Sequence, residues 1–247
     1  MWESHPPAPG YHALMPTIAG VDGCPAGWIA LVENTTTRSI TAVVFVTFAA
    51  LADALDAVVI AIDIPIGLTD RDARQCDVLA RRHLGPKRGS SVFPAPIRPA
   101  LGASSYEEAK ARSFAVQKKA ISQQAWAIYP KIREVDETLC SSANLRDRVI
   151  EVHPELTFSA WSGAPIIPPK RKAEGRAIRR KLIDEHFGPL AFSSARATID
   201  KSQAADDDIA DAFAALWTAQ RLLNDRAQTL PPSPPLDSQG LPMRMVY

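Results

Sequence analysis

Apolar residues run almost unbroken through positions 17–22 and 57–63, and each run ends on an aspartate followed by turn-forming residues. Aliphatic and β-branched runs bounded by turns predict buried strands. Residues 28–32 and 40–48 are two more extended apolar stretches, set off by turns at 23–27 and 34–37. Together these predict a three-stranded antiparallel meander, then a short helix over 49–55, where Leu51 and Leu55 are spaced i, i+4, then a fourth strand. That β-β-β-α-β order builds an α/β fold with a mixed sheet rather than a doubly wound one.

Downstream, the pattern predicts a charged helix over 70–84, a Gly- and Pro-rich loop over 85–99, helices over 105–115 and 122–128, and a polar stretch over 131–136. Residues 65–145 thus predict a helical insertion after the fourth strand, covering one end of the sheet. Residues 148–152 predict a fifth strand, 165–169 a loop, 171–187 a strongly basic helix ended by Gly188-Pro189, and 206–223 the last helix. The expected organisation is a tail over 1–16, one domain over 17–228, and a proline-rich tail over 229–247. The end of that tail, apolar at alternate positions from Leu241 to Tyr247, either adds an edge strand or stays mobile.

Composition narrows the function. A chain of 247 residues that is 46% hydrophobic suits one large domain with an elaboration. A net charge of +1 gives no global basic field, so nucleic acid would have to be held by local patches. Three widely spaced cysteines, Cys24, Cys76 and Cys140, indicate neither a zinc site nor a disulfide framework, and a reducing cytoplasm is the simplest compartment. No apolar run approaches the ~20 residues that cross a bilayer, so no membrane partner is expected. Residues 1–16, with four prolines and no apolar core, read as a loose tail rather than a signal peptide.

The candidate chemistry lies in the carboxylates. Asp22 and Asp63 end two strands that would be adjacent if parallel, and Asp208 and Asp211 are spaced i, i+3 on one helix face. Carboxylates from separate elements that converge in this way could hold two Mg²⁺ ions ~4 Å apart, as phosphodiester hydrolysis requires. Plainer readings stand beside this one. Asp22-Gly23 starts a turn, Asp63 caps one, and residues 206–208 cap a helix and complement its dipole. Asp211, on the side of the helix that should pack, needs a metal or a cationic partner. Glu151-Val152-His153-Pro154-Glu155 offers further ligands in Glu151 or Glu155, and an acid or base in His153 that could equally be structural. Arg176, Arg179, Arg180 and Lys181, with Arg81 and Arg88, could contact phosphates, although a solvated helix face is the commoner meaning of such a run.

The order of these phrases resembles the predicted RNase H-like nuclease family known mainly as domain of unknown function 429. The matching stretches are Gly20-Val21-Asp22-Gly23-Cys24-Pro25-Ala26-Gly27-Trp28, Ile62-Asp63-Ile64-Pro65-Ile66-Gly67, Ser91-Val92-Phe93-Pro94-Ala95-Pro96, Ala120-Ile121-Ser122-Gln123-Gln124, Lys131-Ile132-Arg133-Glu134-Val135-Asp136, Glu151-Val152-His153-Pro154-Glu155 and Asp207-Asp208-Ile209-Ala210-Asp211-Ala212. The resemblance implies an RNase H-like fold, a mixed five-stranded sheet flanked by helices. Asp208-Ile209-Ala210-Asp211-Ala212 is also similar to the metal-binding pattern on the last helix of Holliday-junction resolvases. Asp22 and Asp63 match the acidic positions on the first and fourth strands of the wider superfamily.

The expectation is a nuclease dependent on Mg²⁺ or Mn²⁺, acting on DNA, RNA or a small phosphoester. Asp22, Asp63, Asp208 and Asp211 would be its metal ligands, with His153 or Glu151 assisting. The competing expectations are a noncatalytic module that binds nucleic acid or protein, and a nucleotide-dependent phosphotransferase. The latter lacks a Gly-x-x-x-x-Gly-Lys turn. A homodimer through the insertion or the C-terminal strand stays open.

Overall fold

The computed structural model describes residues 16–163 and 168–247. The tail expected before residue 16 and most of the loop expected at 165–169 lie outside those residues. The sheet begins with β1 (Thr17–Cys24), β2 (Gly27–Asn34) and β3 (Ile40–Phe45), paired antiparallel as a meander. After helix α1 (Phe48–Ala54), β4 (Ala57–Ile62) returns parallel to β1 on its free side, and β5 (Val149–Glu151) pairs parallel to β4. The order β3-β2-β1-β4-β5 is the mixed five-stranded α/β sheet expected, consistent with an RNase H-like fold.

The third strand stops earlier than its apolar run suggests. Thr47 accepts the Ala50 N–H on its hydroxyl at 3.1 Å and so starts α1. Phe48 becomes a buried helical residue packed edge-on against Trp28, with ring centroids 5.7 Å apart.

The insertion between β4 and β5 is helical throughout its main part. It comprises α2 (Gln75–Arg88), kinked where Gly85 takes φ 70°, a 3₁₀ turn (Gly89–Ser91), α3 (Arg98–Leu101), α4 (Tyr106–Gln117), α5 (Gln123–Ala127), α6 (Tyr129–Ser141) and α7 (Ala143–Arg148). The stretch 131–136, expected to be merely polar, belongs to α6. Its buried residues Ile132, Val135 and Leu139 recur at helical spacing against the sheet. Beyond β5 come α8 (Pro154–Ser162), α9 (Ala173–Phe187), α10 (Ala191–Thr198) and α11 (Asp206–Leu223). The phrase beginning at Pro154 is thus a helix start, with proline in the first turn where no N–H is needed.

Helices α1, α6 and α7 cover one face of the sheet, and α8 to α11 cover the other. Alternation decides which side chain meets which layer. From β1, Ile18 packs toward α11, and Ala19 and Val21 pack away from it. Gly20 meets α11 where the helix passes closest. A methyl group there would stand 2.1 Å from the Leu216 nitrogen and 2.3 Å from the Ala212 oxygen. Both are backbone atoms that cannot rotate aside. Gly20→Ala should therefore cost about 3 kcal/mol, the upper part of the range for overpacking, read as a lower urea midpoint with an unchanged slope.

The C-terminal segment is ordered into the fold. β6 (Thr229–Leu230) and β7 (Met245–Val246) pair antiparallel, and Val246 also bridges Val152 beside the fifth strand. Asp237 accepts the N–H groups of Leu68 and Leu241, each at 2.9 Å, which ties this segment to the loop after β4. No described helix is long and apolar enough to cross a membrane.

Candidate active site

Register places the acidic residues. Asp22 follows Ile18 and Gly20 at alternate positions on β1, so it faces α11. On β4, Ala61 packs in the α11-side core while Ile60 and Ile62 pack on the other side, so Asp63 continues the α11 face. Val21 and Ile62 are direct parallel partners, and the Asp63 N–H donates to the Val21 carbonyl at 3.1 Å. The two aspartates therefore stand at neighbouring strand ends. Asp211 precedes Ala212, the residue that α11 lays against Gly20, and so overlies the same ends. Asp22, Asp63 and Asp211 all line one cleft of about 630 Å³.

Asp208 is not among the lining residues. One of its oxygens accepts the Ala205 N–H at 2.8 Å and caps α11, which is the plainer of the two roles its position allowed. Lys170 enters in its place. Its Nζ donates to Asp211 Oδ2 at 2.6 Å, giving the buried carboxylate the cationic partner it needs.

Burial raises all three carboxylates, and neighbouring charges add to this at Asp22 and Asp63. Burial, then the charges of Asp63, Asp211 and Asp208, push Asp22 well above the usual carboxylate range against the pull of Lys170. Burial and then Asp211 do the same to Asp63. Burial raises Asp211 to about 6, with Lys170 pulling the other way. Groups with folded-state values above an unfolded value near ~4 bind more protons folded than unfolded. Stability of the metal-free protein should consequently fall as pH rises from about 4 through about 6 and should not recover by neutrality through these groups. Thermal melts across that range in a chelator-containing buffer check the sign, and a rising midpoint would contradict it.

The second acidic phrase is built into internal ion pairs. Arg74, fully buried, donates from Nη1 and Nη2 to the two oxygens of Glu151 at 2.7 and 2.8 Å, and from Nη2 to Asp77 at 2.6 Å. Burial opposes the charge on Arg74, but Glu151 and Asp77 more than offset this and hold it protonated. The Ile66 N–H also donates to Glu151, at 2.7 Å. Glu155 receives Arg179 on both oxygens, at 2.7 and 2.9 Å, and Arg88 as well. His153 lines the cleft, and burial lowers its pKa, so it is neutral at pH 7. Its Nε2 lies 3.4 Å from the Ser91 carbonyl, while buried Nδ1 has no partner among the described residues.

Of the six cations expected to meet substrate, Arg88 lines the cleft. Arg179 is 2% exposed and turned inward, in contrast to the solvated basic face expected of α9. Arg176 donates to the Arg171 carbonyl, Arg180 pairs with Asp184 and Lys181 with Glu185 on their own helix, and Arg81 donates to the Val92 carbonyl. The remaining cations at the cleft wall are Arg74, Lys87, Lys131, Lys170 and Arg171. Lys131 lies over the Trp28 ring at 4.5 Å and across Gly23, where a side chain would collide with it. The helical spacing within α6 was the signal that could have placed Lys131. Lys170 opens the basic run that continues to Lys181, and nothing local in the sequence marks it as the partner of Asp211.

Carboxylate oxygens are the donors that hard divalent cations take. As the side chains stand, no three His, Cys, Asp or Glu groups among the described residues are close enough together to hold an ion. The donor chemistry fits a divalent ion, and Lys170 holds one of its donors.

A family model described as a protein of unknown function (DUF429) matches residues 20–236. No curated protein and no solved structure gives a significant match.

Proposed function

Because the chain belongs to the DUF429 family, whose description assigns no activity, we propose its function from the cleft: a metal-dependent nuclease that hydrolyses phosphodiester bonds of DNA or RNA. The observation that carries this reading is the convergence of Asp22, Asp63 and Asp211, from two strand ends and a helix, beneath a wall of cations. An acidic floor alone would repel a phosphodiester, and a basic wall alone would only bind one.

Asp22, Asp63 and Asp211 would hold Mg²⁺ or Mn²⁺, with Asp208 close enough to raise the charge density. Bound there, the ion would polarise a phosphoryl oxygen and make a water more acidic. Lys87 and Arg171 draw the phosphate backbone into the cleft, and Lys131, which donates to the Gly27 carbonyl, adds its charge to the wall. If the proton of neutral His153 sits on Nε2, toward Ser91, then Nδ1 is the nitrogen able to accept one. The Arg74–Glu151 pair acts at one remove. Through Ile66 it fixes the backbone that follows Asp63, and so the aim of that carboxylate. The three free thiols suit a reducing cytoplasm.

One observation favours a second reading, a noncatalytic binding module. Lys170 already satisfies Asp211 without any ion. Cleavage of nucleic acids with Mg²⁺ or Mn²⁺, run beside an Asp63→Asn variant, decides between the two.

A further inference from the structure

The cleft contains one aromatic side chain that the chemistry above does not use. Phe93 lines the cleft and is 50% exposed. Its mount is fixed. Val92 is buried and its carbonyl takes two bonds from Arg81, at 2.9 and 2.8 Å. Pro94 follows directly, and the Ala95 N–H is held by Asp77 at 3.2 Å. The ring is therefore presented to solvent from an anchored loop, in a cleft that Lys87, Lys131 and Arg171 also line.

An aromatic face set among cations that follow a phosphate backbone has the make-up of a stacking platform for nucleic-acid bases. Paired bases in a duplex are stacked on each other and offer no free face, so such a platform serves unpaired ones. Size points the same way. A cleft of about 630 Å³ lies within the ~300–1,000 Å³ of small-ligand sites, and the net charge of +1 supplies no broad field for a long duplex.

We propose that the cleft takes an unpaired nucleotide, with its base stacked on Phe93 and its phosphate held by the wall cations, so that the substrate is single-stranded nucleic acid. This rests on the phosphodiester reading of the acidic floor and names its substrate class.

The test is equilibrium binding by fluorescence anisotropy in the presence of Ca²⁺. The probes are labelled oligothymidylate, oligouridylate, an abasic strand of equal length and charge, and a blunt duplex. The proteins are wild type, Phe93→Ala and Phe93→Trp. Wild type should prefer the base-bearing single strands. Phe93→Ala should bind them about tenfold more weakly while its affinity for the abasic strand stays unchanged. Phe93→Trp should restore binding and show indole quenching when the strand is added. The thymidylate and uridylate arms tell DNA from RNA. Equal affinity of wild type and Phe93→Ala for base-bearing strands, or tighter binding of the duplex, overturns the stacking proposal and leaves the nuclease reading standing. Absence of binding to every probe overturns both.

Discussion

Asp63→Asn is expected to remove metal-dependent cleavage of nucleic acid, by about 1,000-fold or more, while making the metal-free protein more stable. The loss follows from position. Asp63 lines the same cleft as Asp22 at the neighbouring strand end and Asp211 on α11, and Lewis-acid stabilisation by a held ion amounts to several kcal/mol. The gain follows from charge. Asp211 is the largest of the charges raising Asp63, and Asp63 is the largest of those raising Asp22, so a neutral amide relieves repulsion on both sides. The relief should be on the order of 1 kcal/mol near neutral pH. Addition of Mn²⁺ should raise the melting temperature of the wild type, with little effect on the variant. If the metal leaves both melting curves unmoved and neither protein cleaves any strand, the acidic floor belongs to a binding module with Lys170 as its permanent counter-ion.

The second large effect is structural. Arg74→Leu should cost about 3–5 kcal/mol, because it leaves Glu151 and Asp77 buried without their shared cation. It also removes the donor to the Ile66 and Gly67 carbonyls, at 3.0 and 3.3 Å. Against a typical domain stability of ~5–15 kcal/mol, this is a large share, and the urea midpoint should fall accordingly. Replacing Glu151 by Leu in the same chain should return part of the loss, since Asp77 is then the one carboxylate left without Arg74, and only part because the Ile66 N–H loses its acceptor. A midpoint within experimental error of wild type for the single variant would mean that water replaces Arg74 at the two carboxylates.

The sheet was legible because its signal is local. Near-continuous apolar runs bounded by turns gave β1 to β4, and the aspartate at the end of each central run gave two of the three carboxylates of the acidic floor. Long-range pairing was harder to read. Asp211 was expected to need a metal or a cation, yet Lys170 lies 41 positions away, in the turn before α9. The basic helix shows the limit of reading charge as a run. Arg179 lies four residues from both Gly175 and Ile183, which are buried, so it belongs to the inward stripe, whereas Arg176 and Lys181 do not. Counting cations without assigning their faces therefore did not separate Lys87 and Arg171, which line the cleft, from their neighbours in the same basic runs, and it passed over Lys131. The helix α6 was obscured for the opposite reason, its charged residues masking a regular buried stripe.

The insertion after β4 leaves a particular division of labour along the chain. Asp22, Asp63 and Asp211 come from the two central strands and the helix packed on them, whereas Lys87, Arg88, Phe93 and Lys131 all come from the single contiguous stretch between β4 and β5. Apart from Arg171, which follows β5, the capacity to react and the choice of what is admitted are thus inherited on separate segments, joined at two parallel strands whose ends are fixed by the sheet. A lineage could exchange the intervening helices for others and redirect the same acidic floor to a new polymer, and a chimaera built at those two joints would be the laboratory form of that exchange.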